Sequence, residues 1–166
     1  MLVPVPEAEA TSRWWELWDP PKERGVPAHV TVLYPFLRER DVTSPVLDGL
    51  REAFAGAAPF DFALRVLGRF PHHVYLAAEP AAPFLELTRR VLELHPTLVP
   101  YAGEADGELV PHLTIMRSPD DSFLERVEDQ ARPFLPFQAR AKAVWLMSER
   151  ERGGWQRRAV FPLGGD

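Results

Sequence analysis

The sequence predicts an α+β fold in which two lobes, each with a mostly antiparallel sheet, face a central cleft with helices on the outside. Three observations support this prediction. Short runs rich in β-branched and aromatic residues alternate with helical runs, proline marks the start of several helices, and one order of features occurs twice. The length of 166 residues and the hydrophobic content of 46% suit one globular domain, which we expect to span residues 1–166.

The elements follow from local signals. Proline in the first helical turn, twice preceded by serine, marks the helix starts, and Pro96 ends the third helix. The first strand contains Pro4 and is therefore expected at a sheet edge, and Gly153-Gly154 joins the last two strands. Helices are predicted at 6–18, 44–55, 83–94 and 118–131. Strands are predicted at 2–5, 28–34, 60–67, 74–78, 111–116, 137–147 and 155–161.

The repeated order of features divides the chain into two matching halves. Ala28-His29-Val30-Thr31-Val32 matches Pro111-His112-Leu113-Thr114-Ile115. Each run is followed by a Ser-Pro helix start and then by a Pro-Phe strand start. Two copies indicate a duplication rather than a solenoid. We therefore expect motif 1 (29–31) and motif 2 (112–114) to lie in two lobes related by a pseudo-twofold axis.

Side-chain alternation on a strand places the histidine and threonine of each motif on one face and the aliphatic residues on the other. If the two faces meet, two imidazoles and two hydroxyls converge in one cleft. Phosphodiester cleavage needs a base for the attacking water and an acid for the departing oxygen, and histidine serves in either role near neutral pH. Hydroxyls can donate hydrogen bonds to the phosphate oxygens. The pair His29 and His112 is therefore the predicted catalytic centre.

These paired H-x-T motifs resemble those of the two-histidine phosphoesterase superfamily, and in particular its bacterial 2′-5′ RNA ligase-like members. The resemblance implies a bilobal fold and hydrolysis of 2′,3′-cyclic phosphates or 2′-5′ linkages, in some members reversibly, with no metal and no cofactor. By position, His29 corresponds to the general acid and His112 to the base, although the near-symmetry of the motifs leaves these labels interchangeable. Thr31 and Thr114 would hold the phosphate. Arg117 would neutralise it, provided that the strand ends or bulges near Met116.

Composition narrows the class of partner. The net charge of −5 argues against binding to a long nucleic-acid duplex. The absence of cysteine excludes thiolate chemistry. We expect a small nucleotide or an RNA end as substrate, no membrane span and a cytoplasmic location; the oligomeric state stays open. Aromatic candidates for stacking on a base are Tyr75, Trp145 and Phe36.

Two other functions remain open on the sequence. A metal hydrolase would use His29, His112 and an acid such as Asp106 as ligands, but it leaves the threonines without a role. A non-catalytic protein that binds nucleotides or RNA ends would keep the cleft without turnover. Activity in excess EDTA separates the first from the phosphodiesterase.

Overall fold

A computed structural model of the protein describes residues 1–11, 25–103 and 109–165, and these ranges contain eight strands and four helices. The strands are β1 (Leu2–Pro4), β2 (His29–Thr31), β3 (Phe60–Phe70), β4 (His73–Glu79), β5 (His112–Arg117), β6 (Phe137–Ala141), β7 (Ala143–Glu149) and β8 (Trp155–Pro162). The helices are α1 (Pro6–Thr11), α2 (Ser44–Ala55), α3 (Ala82–Leu94) and α4 (Asp121–Ala131). Short 3-10 turns lie at Glu39–Asp41, Pro100–Gly103 and Arg132–Phe134.

The strands form two four-stranded sheets with the orders β2-β1-β7-β8 and β5-β4-β3-β6. Every pair of neighbouring strands in them is antiparallel. The two motif strands, β2 and β5, lie at the edges of their sheets and contact each other. The predicted α+β class with two antiparallel sheets is confirmed.

The lobes, however, are not the two halves of the chain. The hairpin β3–β4 follows motif 1 in sequence but pairs with β5, the strand of motif 2. The hairpin β7–β8 follows motif 2 and joins the sheet that contains β2. Each motif strand therefore sits in one sheet while the hairpin of its own half builds the other. Comparing the halves reveals the repeat but not this exchange, since the repeat does not say which sheet a hairpin joins.

The prediction of an edge position for the first strand is wrong, because β1 lies between β2 and β7. Val5 donates its N–H to Ala28 at 2.7 Å and Val32 donates to Met1 at 2.9 Å. By alternation, the Pro4 nitrogen faces away from β2. Pairing on that other side involves Leu2 alone, so the missing N–H of Pro4 leaves no ladder bond unmade.

The single strand predicted at 137–147 is also wrong, because β6 and β7 belong to different sheets and Lys142 separates them. The buried residues are Ala139 and Ala141 in β6 but Val144 and Leu146 in β7. The buried residues therefore have odd numbers in β6 and even numbers in β7. One continuous strand cannot bury both sets on the same face, so the chain changes sheet.

Two predicted helix starts shift, that of the third helix by one residue, from Pro83 to Ala82, and that of the last helix by three. The last helix begins at Asp121 rather than Ser118, since the Asp120 carboxylate accepts the Phe123 N–H at 3.1 Å as its N-cap. In α2 the N-cap is Thr43, and Ser44 is already helical. Of the helix predicted at 6–18, residues 6–11 are helical and the remainder lies outside the described residues.

The core is built from the outer sheet faces and the helices that cover them. Phe54 of α2 packs against Phe161 of β8 with ring centroids 5.6 Å apart. Phe84 of α3 meets Phe60 and Phe62 of β3 edge-on at 4.9 and 5.0 Å. These contacts hold the helices outside, so that the inner faces line the cleft. None of the helices in the described ranges is long and apolar enough to cross a membrane.

Candidate active site

Each motif histidine is the first residue of its strand, and its side chain points away from the core. Val30 in β2 and Leu113 in β5 are completely buried, whereas the motif histidines and threonines beside them are partly exposed on the opposite face. Because β2 contacts β5, these faces adjoin, and the charge of one motif histidine acts on the other. The side chains gathered at this junction are those of His29, Thr31, His112 and Thr114.

The two imidazoles are held in the same way. Nδ1 of His29 lies 2.7 Å from the carbonyl oxygen of Pro27, and Nδ1 of His112 lies 2.7 Å from that of Val110. A carbonyl can only accept, so each Nδ1 carries the proton and donates it. Nε2 is then the free nitrogen of each ring, able to accept a proton when neutral and to donate one when charged.

Burial disfavours the protonated form of both imidazoles. Burial lowers the pKa of His29 from 6.5 to about 4, and the positive charges of His112 and Arg117 act in the same direction. Burial also lowers the pKa of His112, aided by the charges of Arg117 and His73.

Arg117 reaches the cleft through a β-bulge. Tyr75 pairs with Thr114 and Val74 pairs with Met116, so Ile115 is an extra residue on β5. Ile115 and Met116 are consecutive and both buried, which breaks strict alternation. Arg117 therefore returns to the face of Thr114, where its charge acts on both motif histidines. The sequence expectation made this placement conditional on such a bulge near Met116.

Tyr101 links the two motifs and was not singled out from the sequence. Its ring stacks on His112 with centroids 6.4 Å apart and planes at 24°. Burial raises the pKa of the Tyr101 phenol, and a hydrogen bond with Thr31 acts in the opposite direction. Its φ of 53° is unusual for a residue other than glycine, and its N–H donates to the Tyr34 carbonyl at 2.6 Å. No local spacing signals this residue, because the contacts that place it come from distant parts of the chain.

Among the predicted stacking residues, Tyr75 is the one beside a catalytic candidate. Its ring lies 5.2 Å from that of His112 and stacks on Phe70 at 4.3 Å. The opposite residue, Gly68, leaves room for this ring, since a Cβ there would lie 2.3 Å from a Tyr75 ring carbon. Glycine is therefore required at position 68 for the ring to take this place.

The other two stacking candidates are engaged elsewhere. Trp145 lies in the sheet of motif 1, and the Arg157 guanidinium covers its ring at 4.4 Å. Phe36 packs edge-on against His95 at 5.4 Å, beyond the end of α3. Among the described residues, no ring contact joins Phe36 to either motif histidine.

The comparisons with known proteins agree with this geometry. The sequence model of the 2′-5′ RNA ligase superfamily matches residues 3–153. The chain belongs to this superfamily. A relative from Geobacillus kaustophilus (strain HTA426), named "Putative phosphoesterase GK0864", is 26% identical over 144 residues, which are 84% of this chain and 80% of the relative.

The crystal structure of TT0787 from Thermus thermophilus has the same fold as this member of the superfamily. It superposes with a TM-score of 0.59 at 22% identity, over 96% of this chain and 90% of that one. The resemblance drawn from the two H-x-T motifs is thereby confirmed at the level of family and fold. Membership supports an enzyme that acts on phosphoric esters.

A metal-binding arrangement in this superfamily member would need a third ligand beside the two histidines. Asp106, the candidate acid, lies outside the described residues. Within residues 1–11, 25–103 and 109–165, no three histidine, aspartate or glutamate side chains are grouped closely enough to hold a metal ion. The described cleft groups instead imidazoles, hydroxyls and one guanidinium, which suit an anion.

Proposed function

We propose that the protein is a metal-independent phosphodiesterase that hydrolyses 2′,3′-cyclic phosphates of nucleotides or RNA ends, and 2′-5′ linkages by the same chemistry. The observation that carries this proposal is the matched pair of imidazoles. Both donate from Nδ1 to a backbone carbonyl, both leave Nε2 free, and they stand on adjoining strand edges close enough for one charge to act on the other.

The reaction assigns one proton transfer to each imidazole. A neutral Nε2 takes a proton from water as the water oxygen attacks phosphorus, and the bond from phosphorus to one ribose oxygen breaks. The second imidazole, protonated at Nε2, gives its proton to that leaving oxygen. Thr31, Thr114 and Arg117 donate hydrogen bonds to the non-bridging oxygens as charge builds on them.

The division of acid and base between the histidines depends on what occupies the cleft. The family position makes His29 the acid, yet burial lowers its pKa to about 4 and favours its neutral, base form when no anion is bound. A bound phosphate raises the pKa of both imidazoles by its negative charge. One neutral and one protonated imidazole is the active state in either arrangement, so the pair, rather than either label, defines the mechanism.

A hydrolysis screen tests the proposal. Adenosine 2′,3′-cyclic phosphate and 2′-5′-linked diadenosine are incubated with the protein in excess EDTA, beside His29→Ala and His112→Ala. Each variant should lower kcat/KM by roughly 10²–10⁴-fold while circular dichroism shows an intact fold. His95→Ala is the matched control and should retain activity, since His95 contacts Phe36 rather than the motifs.

Each failure of the screen has a defined meaning. Activity lost in EDTA and restored by a divalent ion would favour the metal hydrolase. Tight binding of these compounds without turnover would favour the non-catalytic binding protein. Wild-type rates in either histidine variant would remove that residue from the mechanism. We further propose a small nucleotide or RNA end as the substrate, on the acidic composition of the chain. The cytoplasm is the proposed location, in keeping with the lack of a membrane-spanning helix among the described residues.

A further inference from the structure

A third histidine, His73, is presented in the same way as the two motif histidines. It is the first residue of β4, and its Nδ1 lies 2.7 Å from the carbonyl oxygen of Pro71, two residues earlier. Pro27 and Val110 hold the motif histidines with the same spacing and distance. The Nε2 of His73 is therefore also left free. The residue two positions later again carries a hydroxyl, here the phenol of Tyr75.

His73 lies on the cleft face of its sheet. In the antiparallel pairing, His73 is opposite Arg117, Tyr75 is opposite Thr114 and Ala77 is opposite His112. Opposite residues project to the same face, so His73 joins the motif 2 residues. His73 lies four positions along β4 from Ala77, the partner of His112, which is a distance of about 13 Å between backbone positions. At this spacing His73 lies beyond the residues proposed to face the reacting phosphorus.

The surroundings of His73 are positive. Burial lowers its pKa, and the charges of Arg117 and His72 act in the same direction. The charge of His73 in turn acts on His112. Among the described residues, no aspartate or glutamate forms an ion pair with Arg117 or His73. Arg117 is a permanent cation opposite His73, and without an acidic partner among the described residues it favours a bound anion.

We propose that His73 and Arg117 form a second anion subsite, which binds a phosphate on the ribose 5′ oxygen of the substrate. This proposal rests on the function proposed above. The substrates would then be 2′,3′-cyclic phosphates that carry a second phosphate one nucleoside away from the cyclic phosphate. Arg117 lies opposite His73, and its charge also acts on both motif histidines, so it serves both subsites. The 5′ phosphate is either a free monoester or the linkage to the preceding nucleotide of an RNA end.

The kinetic test compares three substrates: adenosine 2′,3′-cyclic phosphate, the same compound with a 5′-phosphate, and a diadenosine that ends in a 2′,3′-cyclic phosphate. The wild type should prefer the second or third by roughly tenfold in kcat/KM, the effect of one charge-assisted hydrogen bond. His73→Gln should reduce this preference to less than about twofold, and His73→Lys should restore it. His95→Gln is the control. Preference for the second substrate alone identifies a monoester, whereas equal preference identifies the internucleotide phosphate as well.

A binding measurement separates the subsite from the catalytic proposal. Titration calorimetry should show adenosine 2′,5′-bisphosphate binding roughly tenfold more tightly than adenosine 2′-phosphate, with the difference lost in His73→Gln. If this holds but no cyclic phosphate is hydrolysed, the subsite stands and the proposed function fails. If hydrolysis occurs and His73→Gln affects all substrates equally, or leaves the preference intact, the second subsite is refuted while the proposed function stands.

Discussion

The depressed pKa of His29 predicts a specific loss of stability in acid. Burial lowers the pKa of this imidazole to about 4, whereas its value in the unfolded chain is the ordinary 6.5. Between these pH values the unfolded chain binds a proton that the folded chain does not. The free energy of unfolding therefore falls as the pH drops from 6.5 to 4, and it falls no further from this cause below pH 4.

The size of the effect follows from the two pKa values. The difference between 6.5 and about 4 corresponds to a loss of about 3 kcal/mol for His29 alone. This is a large share of the free energy of unfolding of a typical domain, which is roughly 5–15 kcal/mol. A substitution that removes the titrating group, His29→Gln, should abolish this contribution and make the protein relatively more resistant to acid.

Urea unfolding at several pH values between 7.5 and 4.5 measures the effect. The difference in unfolding free energy between wild type and His29→Gln is plotted against pH, so that contributions shared by both proteins cancel. Over this pH range the difference should change by about 2 kcal/mol, which is most of the full effect of about 3 kcal/mol. Parallel stability curves for wild type and His29→Gln would refute the buried, neutral imidazole.

Three further predictions concern activity. The pH profile of kcat/KM should be bell-shaped, with limbs near pH 4 and below pH 6.5, because burial lowers the pKa of His29 and of His112. In the profile of kcat, which reports the enzyme with phosphate bound, both limbs should lie at higher pH. A flat profile would contradict paired acid–base catalysis. Gly68→Ala should lower kcat/KM roughly tenfold because it displaces the Tyr75 ring. Gly49→Ala is the control and should leave kcat/KM unchanged, since its Cβ would lie 3.8 Å from the nearest atom. Equal effects of the two substitutions would exclude a role for the Tyr75 ring. Tyr101→Leu should lower kcat/KM about fivefold through loss of the ring that stacks on His112, and unchanged kinetics would make that contact irrelevant to turnover.

The strands that hold the motifs could be predicted because their signal is local. Alternation within five residues separates Val30 from His29 and Leu113 from His112, and the structure buries the aliphatic member in each case. The bulge that turns Arg117 into the cleft could be stated only as a condition. Its cause is a register shift against β4, and register is a property of two strands rather than of one.

The remaining errors in the predicted fold concern how distant parts of the chain pair in the folded protein. The change of buried parity across Lys142 is not visible in the sequence, because residues 143–147 are all apolar and only the structure shows which of them are buried. The exchange of hairpins between the sheets, and the contact of Tyr101 with both motifs, depend on pairings between distant parts of the chain. Local propensity and spacing carry no information on such pairings.

The hairpin exchange accounts for the position of the two motif strands at sheet edges that contact each other. Stacked sheets lie about 10 Å apart, so motifs on the interiors of two facing sheets would leave a gap wider than a phosphate. Here each motif strand is at an edge, β2 beside β1 and β5 beside β4, and the two edges contact each other side by side. Edge strands normally invite pairing with other chains. In this fold the two edges contact each other, and the histidines proposed as acid and base lie on these two strands.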